Sequence, residues 1–138
     1  MNLEKVFEFI KERRGYDYPF RYKLVKGLPL TEDDLNIEGH LDLEYSKIMK
    51  LPDNLTVNGR LDLQNTNIEE LPNNLTVNGY LDIEGTDINE FPNNLKIGGN
   101  LYLIRTPFGE KYTMPEIIKM IEDKGGKVGG DVFLSYLA

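Results

Sequence analysis

The chain contains no cysteine. Disulfides, thiolate metal sites and thiol catalysis are excluded together, and this is the usage expected in a reducing cytosol. No apolar run approaches the ~20 residues that a membrane-spanning helix needs. Residues 1–14 alternate charge with apolar side chains and lack the apolar centre of a signal peptide. The sequence therefore predicts a cytoplasmic protein with no membrane contact. There is one histidine, His40. No nucleophile elbow, glycine-rich phosphate loop or zinc-binding helix motif accompanies it. The calcium-binding nonapeptide pattern is also missing. These residues predict no enzyme activity, no metal and no cofactor.

What is present suits one folded domain. The 138 residues are 40% hydrophobic and 28% charged, too apolar for a disordered chain and long enough to bury roughly two thirds of the unfolded surface. The formal net charge of −7 is uneven: residues 1–30 carry +3, residues 31–110 carry −10, and residues 111–138 are neutral. A middle this acidic repels nucleic acid and suits a basic partner.

A 20-residue period organises the chain. Residues 51–70 read LPDNLTVNGRLDLQNTNIEE, residues 71–90 are a near copy, and residues 91–110 are a more divergent one. Residues 31–50 form a fourth unit that keeps Leu35, Ile37, Gly39, Leu41, Leu43, Ser46 and Ile48 in phase. The segment Val128 to Leu134 lines up with Val57 to Leu63 as a partial fifth unit. Leu61 and Leu63 are two apart, so they share one face of a strand while Arg60, Asp62 and Gln64 take the other. Leu55 and Val57 form a second, shorter alternating stretch. Gly59, Gly79, Gly99 and Gly130 recur between the two stretches, which implies either a positive φ or a close backbone approach. Pro52, Pro72 and Pro92 fix an extended backbone. Thr66, Thr86 and Thr106, in phase with Ser46, form a hydroxyl ladder suited to buried loop carbonyls. Asn58-Gly59 and Asn78-Gly79 support a rival reading, a series of β-hairpins. Stacked coils bury one continuous core, whereas isolated hairpins are marginal in water.

Residues 61–72 resemble the leucine-rich repeat, in the short form with a Leu-Pro step found in bacterial effector proteins. They are similar also to short repeat proteins of tailed phages. The resemblance spans about residues 28–110 and the strand near 128–134. The asparagine usual at the family's ladder position is threonine or serine here. Some effector relatives carry a cysteine-dependent ubiquitin ligase domain, which a chain without cysteine does not share. The fold expected is an α/β repeat: a leucine-rich-repeat-like solenoid with one parallel β-sheet of about five strands, an extended convex side and helical caps at both ends. Residues 1–138 read as a single domain, with an N-terminal cap over 1–30, four repeats over 31–110, and a capping helix and last strand over 111–138.

The caps have their own patterns. Leu3, Val6, Phe7 and Ile10 give a helical stripe capped by Asn2 and ended by Gly15. Tyr16, Tyr18, Phe20, Tyr22 and Leu24 alternate, and Pro19 limits them to an extended or edge segment. Thr113 and Glu116 form a capping box with Pro115 in the first turn. Met114, Ile117, Ile118 and Ile121 then give an apolar stripe that Gly125-Gly126 stop.

The outer face of the predicted sheet supplies the candidate partner-binding residues: His40, Asp42 and Glu44; Arg60, Asp62 and Gln64; Tyr80, Asp82 and Glu84; Asn100, Tyr102 and Ile104. Asp42, Asp62 and Asp82 fall in one column about 4.8 Å apart. Carboxylates at that spacing repel by roughly 1 kcal/mol in a water-like dielectric. Water, salt and Arg60 offset the repulsion in one reading, a docked basic partner in a second and a bound cation in a third, for which no sequence pattern speaks. Tyr80, Tyr102 and Ile104 add a partly apolar patch, and tyrosine is enriched at interface hot spots. The lone His40 reads as inert. The basic residues of 11–26 interleave with aromatics, but those aromatics suit a cap better than a nucleic-acid groove, so direct nucleic-acid binding is not expected. The sequence thus predicts a protein-binding module with a basic partner. If the gene is phage-borne, as the resemblance implies, the chain acts in the host cytoplasm as an inhibitor of a host or defence protein. Two alternatives stay open. One is a nucleic-acid mimic, although sheet columns step ~4.8 Å and phosphates of one DNA strand ~3.4 Å. The other is a structural protein that self-associates as a homo-oligomer.

Overall fold

The computed structural model describes residues 19–135. The predicted helix over 2–14, with Tyr16 and Tyr18, lies outside them. The chain divides into two compact units, residues 1–34 and residues 35–138.

In the first unit, α1 (Phe20–Lys26) stands where the alternation predicted an extended segment. The flanking residues explain the difference. Pro19 supplies the extended N-cap, and Gly27, at φ 66°, accepts the left-handed C-cap, the asymmetry that favours proline before and glycine after a helix. Leu28 N–H donates to Lys23 O at 3.0 Å. Lys23 is buried, and its Nζ donates to Asp34 Oδ2 at 2.6 Å. Burial pushes the Asp34 carboxyl up, but the Lys23 ammonium and the Thr31 N–H outweigh it and hold the group below its ordinary value. A short 3-10 turn follows at Asp33–Leu35.

The second unit is a stack of coils, each giving two strands of two residues. The first strands of successive coils are β1 (Asn36–Ile37), β3 (Thr56–Val57), β5 (Thr76–Val77), β7 (Lys96–Ile97) and β9 (Lys127–Val128). The second strands are β2 (Leu41–Asp42), β4 (Leu61–Asp62), β6 (Leu81–Asp82), β8 (Leu101–Tyr102) and β10 (Val132–Phe133). Each set pairs in parallel into a five-stranded sheet, in the orders β1-β3-β5-β7-β9 and β10-β8-β6-β4-β2. The second sheet is the one the repeat predicted; the shorter stretch also pairs rather than running merely extended. Leu41, Leu61, Leu81, Leu101 and Val132 are register partners in turn. Leu61 N–H donates to Tyr80 O at 3.0 Å and Leu81 N–H to Asn100 O at 2.9 Å. Pairing across coils, all parallel, rules out the hairpin alternative.

The interior explains the period. Leu55, Leu61, Leu63 and Ile68 are fully buried in one coil, and Leu75, Leu81, Ile83 and Ile88 in the next. Burying each such side chain contributes about 1.5–3 kcal/mol, and only equal coils keep every leucine over another. Gly79 makes that stacking possible without a positive φ. A Cβ there would lie 2.8 Å from the Gly59 carbonyl carbon, closer than a side chain fits. Gly79 N–H donates to Gly59 O at 2.9 Å, and Gly99 N–H to Gly79 O at 3.0 Å. So close approach, not φ, selects glycine at this corner.

Positive φ occurs elsewhere, at Asn54, Asn74 and Asn94 (66°, 60° and 56°) and at the phase of Tyr45, Asn65, Gly85 and Arg105. The first set builds a ladder: Asn74 Nδ2 donates to Asn54 Oδ1 and Asn94 Nδ2 to Asn74 Oδ1, both at 2.9 Å. Asn78 Nδ2 and Asn58 Oδ1 repeat the device at the next corner. The threonines do not bond to one another. Each Oγ1 of Thr66, Thr86 and Thr106 donates to the carbonyl three residues earlier, at 2.9, 2.7 and 2.6 Å.

The C-terminal helix, α2 (Met114–Asp123), begins with the predicted Thr113–Glu116 capping box. Ile117 and Ile121 are buried while Met114 is exposed. The helix packs against β9 and β10, and Gly125 at φ 82° turns the chain back into the last coil.

Candidate functional site

The twelve outward residues named from the sequence come together on one sheet, β2-β4-β6-β8-β10. Register places Asp42, Asp62, Asp82, Tyr102 and Phe133 in a single column. The column beginning at His40 continues through Arg60, Tyr80 and Asn100. The column beginning at Glu44 continues through Gln64, Glu84 and Ile104. Such columns follow because strand residues alternate faces and every coil has the same length.

The face is less open than the sequence implied. His40, Asp42 and Glu44 are exposed, and Arg60, Gln64, Tyr80, Asn100 and Tyr102 are half-buried. Asp62, Asp82, Glu84 and Ile104, however, are each no more than 7% exposed. Asp42 on the edge strand β2 is exposed while Asp62 and Asp82 on the inner strands are buried, a difference between coils that a single coil's pattern does not contain. Each aspartate also has a local task. Oδ1 of Asp42, Asp62 and Asp82 accepts the N–H two residues on, at 3.1, 3.1 and 3.0 Å. Asp62 Oδ2 accepts Gln64 Nε2 at 3.2 Å. The aspartate thus closes the turn after its strand, and the column is built even before a partner is considered.

Their charges still interact. Asp42, Glu44 and Asp62 bring carboxylate oxygens within 4.8 Å of one another. The trio concentrates negative charge at this end of the face. The Asp62 carboxylate, then burial and Asp42, push the Glu44 carboxyl up from its ordinary value. At Asp82, burial is the largest cause and the neighbouring Glu84 and Asp62 add to it, so its carboxyl is pushed up to about 7 against the Glu84 N–H bond. Ionisation on this face is therefore shifted after β2, at Glu44, chiefly by neighbouring charge, and on β6, at Asp82, chiefly by burial.

Aromatic side chains run beside the acids. Arg60 lies 5.9 Å from the Tyr80 ring centroid. Tyr80 meets Tyr102 edge-on at 5.5 Å, and Tyr102 stacks on Phe133 at 5.1 Å. Phe133 is a functional candidate that the sequence reading missed, although its alignment with Asp62 in the partial fifth unit placed it in this column. Burial raises the Tyr80 hydroxyl's pKa, with Arg60 opposing. His40 also makes a contact between coils: its Nδ1 accepts the Arg60 backbone N–H at 3.0 Å. Asn100 Oδ1 accepts Asp131 N–H at 2.9 Å in the same way.

The opposite sheet has a different character. Its register column is Asn36, Thr56, Thr76, Lys96 and Lys127, without a carboxylate. No helix among the described residues is long and apolar enough to cross a membrane. Comparison with protein-family models, with curated proteins and with solved structures finds no match.

Proposed function

We propose that the chain is a non-enzymatic docking module whose acidic, aromatic sheet face binds a basic protein surface. The observation that carries the reading is the rail Arg60–Tyr80–Tyr102–Phe133 lying beside the carboxyls of β2, β4 and β6. Stacked aromatic rings offer contact area at little entropic cost, and tyrosine is a frequent hot-spot residue. The mutual repulsion of Asp62, Asp82 and Glu84 raises the free energy of the uncomplexed face, and an incoming lysine or arginine lowers it. One oxygen of each aspartate closes its own turn, which holds the carboxyls at fixed positions along the face. On the phage resemblance, the partner is a host or defence protein that docking inhibits in the cytoplasm.

The test is capture from a lysate of the cells that express the gene, with the immobilised chain as bait. The reading expects a basic protein that high salt releases, that Tyr102→Ala and the Asp42→Asn/Asp62→Asn pair weaken, and that Lys96→Ala on the opposite sheet leaves alone. Capture insensitive to the first two variants contradicts the docking face. Displacement of the partner by duplex DNA would favour the nucleic-acid mimic instead.

A further inference from the structure

The same face holds a group that the docking reading does not use by itself. Asp82 is 6% exposed and sits at the centre of the acidic column, between Asp62 on β4 and Tyr102 on β8. The titratable and charged groups around it are Asp62 from β4 and Arg60 just before that strand, Tyr80 and Glu84 from its own coil, and Tyr102 from β8. Glu84 is itself 7% exposed and its carboxyl acts on that of Asp82 both by charge and by hydrogen bonding. Arg60 is the single permanent cation in these columns, and its guanidinium is drawn to the Tyr80 ring. Three nearly buried carboxyls thus lie in neighbouring columns that carry one half-buried guanidinium. Such a cluster lowers its energy in two ways: it keeps a proton, or it receives a second cation.

We infer that these two states exclude each other, so that Asp82 carries a proton on the free face at mildly acid pH and loses it when a partner's lysine or arginine docks. The inference rests on the docking reading for its second half only; the proton belongs to the free protein. It makes the face a proton-linked receptor, weak toward a basic partner below neutral pH and strong above. The position of the carboxyl's titration near 7 puts the change within reach of cellular pH. If one proton leaves per docked cation, affinity rises about tenfold between pH 6 and pH 8.

Two measurements on the full chain separate the halves. Carboxyl-resolved NMR titration of the free protein from pH 4 to 9 should give Asp82 a midpoint near 7, and Asp62→Asn should move that midpoint down by removing a repelling neighbour. A midpoint near 4, with the other surface carboxyls, overturns the proton. Calorimetry with a hexa-arginine peptide should show about tenfold tighter binding at pH 8 than at pH 6, with release of a proton at pH 6. Asp82→Asn, which keeps the Glu84 N–H acceptor, should bind with the same affinity at both pH values. Equal affinity of the unaltered chain at the two pH values overturns the linkage. Absence of binding at both overturns the docking reading and the linkage with it, while the midpoint of Asp82 is judged by the titration alone.

Discussion

Replacing Asp82 with asparagine should stabilise the protein, and the gain should grow with pH. In the folded chain the Asp82 carboxyl is pushed up from 3.8 to about 7, so the folded state holds this proton more tightly than the unfolded one. The contribution of the group to stability is then fully present below pH 3.8 and is lost as pH rises to about 7. A shift of about three pH units corresponds to ~4 kcal/mol at 1.36 kcal/mol per unit. Solvent screening at the sheet surface reduces this, and we take ~2 kcal/mol as the working figure. With an unfolding entropy of about 0.3 kcal/mol/K for a chain of this length, ~2 kcal/mol raises the melting midpoint by about 7 °C. Asparagine preserves the Oδ1 acceptor for the Glu84 N–H, so the turn should survive. The assay is thermal unfolding of both proteins by circular dichroism from pH 3.5 to pH 8. The two midpoints should converge at the acid end and separate by about 7 °C at pH 8. A constant separation across the series, or a less stable variant at pH 8, would refute the reasoning.

Three further outcomes follow from the packing. Leu81→Ala removes a fully buried side chain from between two identical coils, and urea unfolding should show a loss of about 2–5 kcal/mol. Gly79→Ala puts a Cβ 2.8 Å from the Gly59 carbonyl carbon, and the same assay should show about 1–3 kcal/mol of destabilisation. At Asn74 both ladder bonds are lost on substitution by either glycine or alanine. Only alanine also strains the 60° φ, so Asn74→Ala should be less stable than Asn74→Gly by about 1 kcal/mol.

Much of this architecture is legible in the sequence because one geometric condition repeats. Leu61, Leu81 and Leu101 occupy the same interior position only if each coil has the same length, and that length is the period itself. The outward columns follow from the alternation around those leucines. The capping box at Thr113 and Glu116 is legible for a local reason, since both partners lie within four residues. Other features depend on what a coil meets above and below it. Asp62, Asp82 and Glu84 are buried where the equivalent Asp42 and Glu44 of the edge coil are exposed, so an alternating pattern that marks them polar also marks them wet. Asn54, Asn74 and Asn94 were visible as a repeat, but their ladder needs the left-handed turn after each proline, which the proline alone does not specify. Residues 20–24 alternate and yet are helical, because Pro19 and Gly27 supply helix ends and no strand among the described residues pairs with the segment.

Amide chemical-shift mapping of the isotope-labelled chain, as the captured basic partner is added, reads the docking face residue by residue. Docking on the acidic sheet should shift residues that recur every twenty positions, at Asp42, Asp62, Asp82 and Tyr102, and again at Phe133, with the Thr56 and Thr76 strands unmoved. Shifts gathered in one continuous stretch of sequence, or centred on the Asn36–Thr56–Thr76–Lys96 column, would contradict it.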